Sequence, residues 1–310
     1  MGFPLVRFKM DSRMRIGSPV LRIKNIDRIL RFYNECLELQ VNRKYHDKED
    51  SDNVEYELGS KQKSFYDGPI LILHHDTDAK NAPQHSAGLY HFAILVPDRK
   101  SLASTYLSVR DSGARFDGFA DHLVSESLYL RDPEGNGIEI YCDRQPSEWS
   151  YDSEGYVKMD TLPLDLDSIL SELNKEERNT AKAFPTGARI GHIHLKVTNL
   201  ERSIKFYHEK IGLDITSNWS SIGAAFLSAG GYHHHIGMNT WHSLGGEVHA
   251  NGQTGLQNFT ITTPSKSFFN VMESIINSNA NSEQHKKQMA DKNQFLVSDP
   301  DGIQIVIKAE

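Results

Sequence analysis

Several side chains in this sequence are of the kinds that hold a divalent cation, and they fall in short alternating runs. Glu139 sits in Gly137-Ile138-Glu139-Ile140-Tyr141, so strand alternation turns it away from the faces of Ile138 and Ile140. A carboxylate flanked in this way is either a solvent-facing edge residue or a ligand whose charge a cation compensates, since unpaired carboxylates are rarely buried. His91 stands in a similar run, Tyr90-His91-Phe92-Ala93-Ile94, where a lone histidine is ordinarily a hydrogen-bonded core residue. His192 and His194 alternate in Gly191-His192-Ile193-His194-Leu195, and His233-His234-His235 lie between Gly230-Gly231 and Gly237. The glycines around the triple histidine suggest a strand entering a cavity rather than a solvated surface strand. Cys36 and Cys142 are the two cysteines, too few for a thiolate cage, so a metal here would take nitrogen and oxygen ligands.

Positioning such groups requires a frame, and the chain supplies one by repeating itself. Arg15-Ile16-Gly17, Leu21, Asn25, Arg28 and Phe32-Tyr33 return 174 residues later as Arg189-Ile190-Gly191, Leu195, Asn199, Arg202 and Phe206-Tyr207. Gly88-Leu89 through Ile94 and Asp132-Pro133-Glu134-Gly135 return 167 residues later as Gly255-Leu256 through Ile261 and Asp299-Pro300-Asp301-Gly302. Each copy divides again. Segments opening near Gly17, Gly88, Gly191 and Gly255 begin with a strand-like run, pass through a helix and end in short β runs. The helices are expected at Ile26 to Leu37, Ser101 to Ser112, Asn199 to Gly212 and Ser265 to Ile276, with Asn199 as N-cap and Gly212 as stop. The fold class expected is therefore α+β: four βαβββ modules in two tandem repeats, with cupped mixed sheets and outer helices. The boundaries expected are an N-terminal extension 1–13, repeat one at 14–143, a linker with a short helix at 144–188, and repeat two at 189–310.

The repeat also acts as a control on the candidate ligands. Aligned by motif, Asn258 takes the place of His91 and Gln304 that of Glu139, while Ser18 and Val20 stand where His192 and His194 stand. Asn and Gln keep size and hydrogen bonding but lose ligand strength, a paired change that packing alone does not explain. The chemistry thus gathers in modules two and three. If module two packs on module three, and one on four, then His91, Glu139 and His192 converge as two imidazoles and a carboxylate, the facial triad of non-haem Fe(II) oxygenases.

Composition narrows the partners. The 310 residues are 38% hydrophobic and 24% charged, with a net charge of -7 and no basic block. That balance argues against nucleic acid and anionic membranes, and no apolar run is long enough to span a bilayer or to act as a secretory signal. A cytoplasmic protein acting on a small molecule is the expectation.

With those residues in view, a family is identifiable. His122, followed after five residues by Leu128-Tyr129-Leu130-Arg131-Asp132-Pro133-Glu134-Gly135-Asn136-Gly137-Ile138-Glu139, closely resembles the signature of type I extradiol ring-cleaving dioxygenases of the vicinal oxygen chelate superfamily. Ala120, two residues before His122, departs from it. The resemblance covers 15–308 and is to the tandem-repeat catechol 2,3-dioxygenase kind. It implies metal ligation by His91, His192 and Glu139. It also implies an acid/base histidine at His234, with His233 and His235 as alternatives, and catalytic hydrogen bonding by His122 and Tyr129. Substrate contacts would come from Tyr232, His233, His235 and His194, and the pocket wall from residues such as Trp149, Phe226 and Trp241. The implied cofactor is Fe(II), with Mn(II) as the alternative. The implied partners are a catechol and dioxygen, giving a 2-hydroxymuconic semialdehyde-type product, with a homo-oligomer as a further expectation. In the better-known members one repeat supplies all these groups; here they divide between repeats, which demands the swapped module pairing. The rival readings are a glyoxalase-type isomerase, which needs two opposed carboxylates, a metal-free module that sequesters a small molecule, and histidine-rich metal storage.

Overall fold

A computed structural model describes residues 8–46, 54–60, 68–180, 184–264, 266–277, 286–288 and 293–310. Residues 1–7 of the expected extension, 181–183 of the expected linker and Ser265 of the expected last helix lie outside the described residues. Module one comprises β1 (Arg15–Ile23), α1 (Ile26–Leu37), β2 (Gln40–His46), β3 (Val54–Gly59) and β4 (Leu71–His75). Module two comprises β5 (Gly88–Leu95), α2 (Arg99–Asp111), β6 (Phe116–Asp121), β7 (Ser125–Arg131) and β8 (Gly137–Asp143). The connection carries α3 (Leu166–Leu170) and α4 (Lys175–Thr180). Module three comprises β9 (Arg189–Lys196), α5 (Leu200–Lys205), β10 (Asp214–Trp219), β11 (Ala224–Ser228) and β12 (Ile236–Asn239). Module four comprises β13 (Gly255–Thr263), α6 (Lys266–Asn277), β14 (Lys286–Gln288), β15 (Gln294–Ser298) and β16 (Gln304–Ala309). Among the described residues no helix is long and apolar enough to cross a membrane.

The modules pair in swapped fashion, as the sequence requires. One sheet runs β14-β15-β16-β13-β1-β4-β3-β2 and joins modules four and one. The other runs β10-β11-β12-β9-β5-β8-β7-β6 and joins modules three and two. At the centre of each, two module-opening strands run antiparallel, β1 against β13 and β5 against β9. Alternation sorts the second sheet's faces: Phe92, Ile94, Ile138, Ile140, Ile193 and Leu195 enter the apolar core, while His91, Glu139, His192 and His194 lie buried on the opposite face. The helices follow their sequence signals. Asn25 and Asn199 cap α1 and α5 by accepting from the backbone N–H of Arg28 and Arg202, and Ile29, Tyr33, Cys36 and Leu37 bury one face of α1.

Among the hydrogen bonds that tie the sheets to each other, two come from tyrosine hydroxyls. The Tyr33 hydroxyl, from module one, donates to Asp132 Oδ2 in the β7–β8 turn at 3.1 Å, and the Tyr207 hydroxyl, from module three, donates to Asp299 Oδ2 in the β15–β16 turn at 3.1 Å. Each tie therefore joins the two modules of one repeat, whereas each sheet joins modules of different repeats.

Strand register corrects one sequence-based pairing. Ile138 and Glu139 lie opposite Phe92 and Ala93, whereas Ile305 and Val306 lie opposite Phe259 and Thr260. Because Phe92 and Phe259 are repeat partners, the structural counterpart of Glu139 is Val306 and not Gln304. The β15–β16 turn lacks two residues that Asn136 and Gly137 supply to the β7–β8 turn if Ile-Gln-Ile is matched to Ile-Glu-Ile, but the ladder is set by the strands and not by the turn. The triple histidine also departs from expectation. It is not part of a β run but of an irregular segment between β11 and β12, because Gly230 and Gly231 adopt left-handed backbone at φ 69° and 77° and break the ladder.

Candidate metal centre and aromatic cavity

Three neighbouring strands bring the candidate ligands together around one small residue. In the ladder, Ala93 of β5 lies between Glu139 of β8 and His192 of β9. Its single methyl leaves open the space over which the longer side chains converge, and His91, two residues earlier on β5, shares the same face. One ligand atom from each of His91, Glu139 and His192 lies within 4.8 Å of the others, and all three residues are buried. His192 Nε2 is 3.0 Å and His91 Nε2 2.9 Å from Glu139 Oε2. Ser127, from β7, donates to Glu139 Oε1 at 2.7 Å and so fixes the carboxylate's orientation.

These residues fit a divalent cation. His91 Nε2 is buried and has no hydrogen-bond partner, although it sits beside a carboxylate oxygen. An unpaired buried nitrogen aimed at a carboxylate is what a shared ion would satisfy. Protonation states agree. Burial opposes the Glu139 charge, but His192 and His91 outweigh it and hold the carboxyl well below its usual range. Burial pushes His192 down to about 4, Glu139 opposing, so the imidazole is neutral and free to ligate. Imidazole and carboxylate together suit iron, manganese or zinc in their divalent states.

A cavity of about 390 Å³ opens over this cluster. Its walls are aromatic and apolar, with Tyr90, Phe119, Met159, Trp219, Phe226 and Trp241, and its polar groups include His122, Tyr129, His194 and His234. That is a volume and a lining suited to a small planar ring. His122 Nδ1 donates to the Asp160 carbonyl at 2.7 Å, which leaves Nε2 to accept from the Tyr129 hydroxyl at 2.6 Å. Burial, with Glu139 nearby, raises the Tyr129 phenol well above its ordinary value and keeps it protonated. Burial likewise holds His194 and His234 neutral, well below the usual imidazole range. Asn239 Nδ2 donates to His194 Nε2 at 2.9 Å. Gly237 makes room for that ring, since a Cβ there would lie 2.9 Å from His194 Nδ1.

The expected substrate contacts divide. His194 lines the cavity, whereas Tyr232, His233 and His235 are not among its lining residues. Each of these three is engaged behind the wall: Tyr232 and His233 bond Asp143, and His235 Nδ1 bonds Ser228 Oγ at 2.7 Å. Burial and the neighbouring His233 push His235 down to about 3. Trp149 also stands behind the wall, against Tyr232 and His233, while Phe226 and Trp241 do line it. Sequence reasoning missed Tyr90, Phe119 and Trp219 in the wall, Ser127 beside the carboxylate and Ala93 beneath it. Of these, Ala93 had a signal: it is the small residue in an otherwise bulky strand.

A mixed-sheet α+β fold of paired βαβββ modules, cupping a cluster of two histidines and a glutamate, defines a class of metal-site proteins, and comparison with known proteins agrees. The family model described as the Glyoxalase/Bleomycin resistance protein/Dioxygenase superfamily matches residues 15–140 and 189–265. The chain belongs to this superfamily. It is 37% identical over 288 residues to the catechol-2,3-dioxygenase of Bacillus subtilis (strain 168), covering 92% of this chain and 93% of that protein. It is 23% identical over 210 residues to the lactoylglutathione lyase of Schizosaccharomyces pombe, covering 66% and 61% of the two chains. Among solved structures, glyoxalase I from Zea mays shares the fold with a TM-score of 0.57 at 17% identity, over 96% of this chain and 92% of that one.

Proposed function

We propose that the protein cleaves catechol or a substituted catechol beside its diol, using dioxygen and a divalent iron held by His91, Glu139 and His192. The observation that carries this reading is the convergence of these three groups, two of which line an aromatic-walled cavity, with the His91 nitrogen unpaired. The similarity to the Bacillus subtilis catechol-2,3-dioxygenase over nearly the whole chain supports it. Iron, when bound, would supply Lewis acidity toward the diol and electron transfer toward dioxygen.

The protein's own groups have separable tasks. The single carboxylate only partly neutralises a dication, so the site favours an anionic, chelating diol. Tyr90, Phe226 and Trp241 give the ring apolar surfaces to pack against. His234 is neutral and at the cavity wall, placed to take a hydroxyl proton and to return one later. Tyr129, its hydroxyl turned to His122, supplies a protonated phenol beside the metal ligands. A glyoxalase-type isomerase is the weaker reading. The cavity's second carboxylate, Asp117, is paired with Arg131 at 2.7 Å, so no free carboxylate opposes Glu139 among the described lining residues. Protein loaded anaerobically with Fe(II), given catechol and then oxygen, is expected to consume oxygen and form a yellow ring-opened product. Intact catechol after loading with either Fe(II) or Mn(II) would overturn the proposal.

A further inference from the structure

Behind the cavity wall, one ring nitrogen of His234 is already committed. Its Nδ1 lies 2.8 Å from His233 Nδ1, and His233 Nε2 lies 2.8 Å from Asp143 Oδ1. His233 is fully buried, whereas Asp143, the last residue of β8, retains partial access to solvent. Tyr232 reaches the same carboxylate, its hydroxyl 3.0 Å from Asp143 Oδ2, and the Tyr141 hydroxyl lies 2.7 Å from that of Tyr232.

The directions follow from the carboxylate, which can only accept, together with a single ring proton on each of the two histidines. Tyr232 must donate to Asp143, and Tyr141 therefore donates to Tyr232. His233 must donate through Nε2, which leaves the Nδ1 of a neutral His233 as an acceptor. The proton between the two histidines then belongs to His234 Nδ1, and His234 Nε2, on the side that lines the cavity, carries a bare lone pair. Reversing the chain would place an N–H toward the cavity and leave His234 unable to accept a proton there.

We infer that Asp143 and His233 are positioning residues: through this directed chain they hold His234 as its Nδ1–H tautomer, with Nε2 bare toward the substrate cavity. Neither touches the cavity, and both act through His234. The inference rests on the proposed ring cleavage for its consequence, but the tautomer itself is independent of it. A triad in which an aspartate fixes the tautomer of a catalytic histidine shows the same logic.

Two measurements test it. In full-length protein with 15N-labelled histidines and Zn(II) in place of iron, NMR is expected to show His234 with a protonated Nδ1 and a bare Nε2. A protonated Nε2 with a bare Nδ1 would overturn the inference whether or not the enzyme cleaves catechol. With Fe(II) and catechol, His233→Phe keeps the ring and removes the acceptor. It is expected to lower kcat about 10- to 100-fold, part of what a general base contributes, with KM and bound metal unchanged. Asp143→Leu should do the same and Asp143→Asn, which keeps an acceptor oxygen, should recover most of the rate. Wild-type kcat in both His233→Phe and Asp143→Leu, or equal loss in Asp143→Asn and Asp143→Leu, would refute it. Should His233→Phe fail to fold, the Asp143 pair decides. Protein that shows the expected tautomer but leaves catechol intact would sink the proposed function and leave the tautomer standing.

Discussion

The sheet that joins modules two and three and the sheet that joins one and four share a strand order, a pair of antiparallel central strands and a helix on each module. They differ at facing positions that include four around the ligand cluster. His91, Glu139, His192 and Ala93 in the one are Asn258, Val306, Ser18 and Thr260 in the other. The Ser18 hydroxyl is taken up by the Pro69 carbonyl. Thr260 fills the place that Ala93 leaves open, and its Cβ lies 3.0 Å from where a side chain on Gly17 would begin. The proposed metal centre thus needs two things of this frame, strong ligands and a gap between them, and these four positions in the sheet of modules one and four supply neither.

Importing one residue across the comparison breaks it most severely. Ala93→Thr is expected to abolish metal binding while leaving the chain folded, with metal content by mass spectrometry and catechol turnover falling together. Glu139→Ala should do likewise and lower turnover more than the roughly 10- to 100-fold typical of losing a ligand's supporting hydrogen bond. Metal retained at wild-type stoichiometry in Ala93→Thr would show that the gap is not what distinguishes the sheets. Ser127→Ala, which frees Glu139 Oε1, is expected to weaken metal affinity by about 10- to 100-fold, measurable by competition with a chelator.

The two tyrosine ties between the sheets sharpen the comparison on a smaller scale. Asp132 Oδ2 also accepts from Asn136 Nδ2 at 2.7 Å, whereas Asp299 Oδ2 has Tyr207 as its partner. Tyr33→Phe should therefore cost about 1 kcal/mol and Tyr207→Phe about 2 kcal/mol in denaturant unfolding, with metal content unchanged in both. Equal losses would show that the ties are equivalent. A separate effect concerns pH. Burial, with Asp301 beside it, raises Asp299 to about 7, against about 3.9 in an unfolded chain. The folded state holds that proton more tightly, so its stabilisation is fully present below about pH 4 and is lost as pH rises toward 7. Asp299→Asn should remove this contribution, so that wild type loses stability relative to the variant across that interval. Parallel curves for the two proteins would reject the shift.

Much of this architecture is legible in the residues. The repeat, with the candidate ligands gathered in modules two and three, already requires the swapped pairing, because His91 and His192 lie on different copies. Alternation assigns both faces of β5, β8 and β9, since bulky apolar residues flank each ligand. The Glu139 counterpart was misplaced for a physical reason: Ile-Gln-Ile matches Ile-Glu-Ile in text, but ladder register ignores resemblance between turns and follows the strand that opens the module. The histidine run was read as a strand because its glycines signal a close approach in a strand as well as a left-handed turn. Tyr90, Phe119 and Trp219 come from three separate strands, and nothing in their local sequence marks which face of the cup each one meets. The Tyr33–Asp132 and Tyr207–Asp299 ties are equally silent in sequence, because they join a helix to a turn that lies 92 to 99 positions away.

The order in which the ligands are made carries a last consequence. During synthesis His91 and Glu139 emerge well before His192, and the strand that bears His192 is also the one that docks against β5. A growing polypeptide therefore offers an ion only half a grip until its two copies have met. On the proposed assignment, loading of the ion is a late event, one that certifies the joining of both halves before any chemistry can begin.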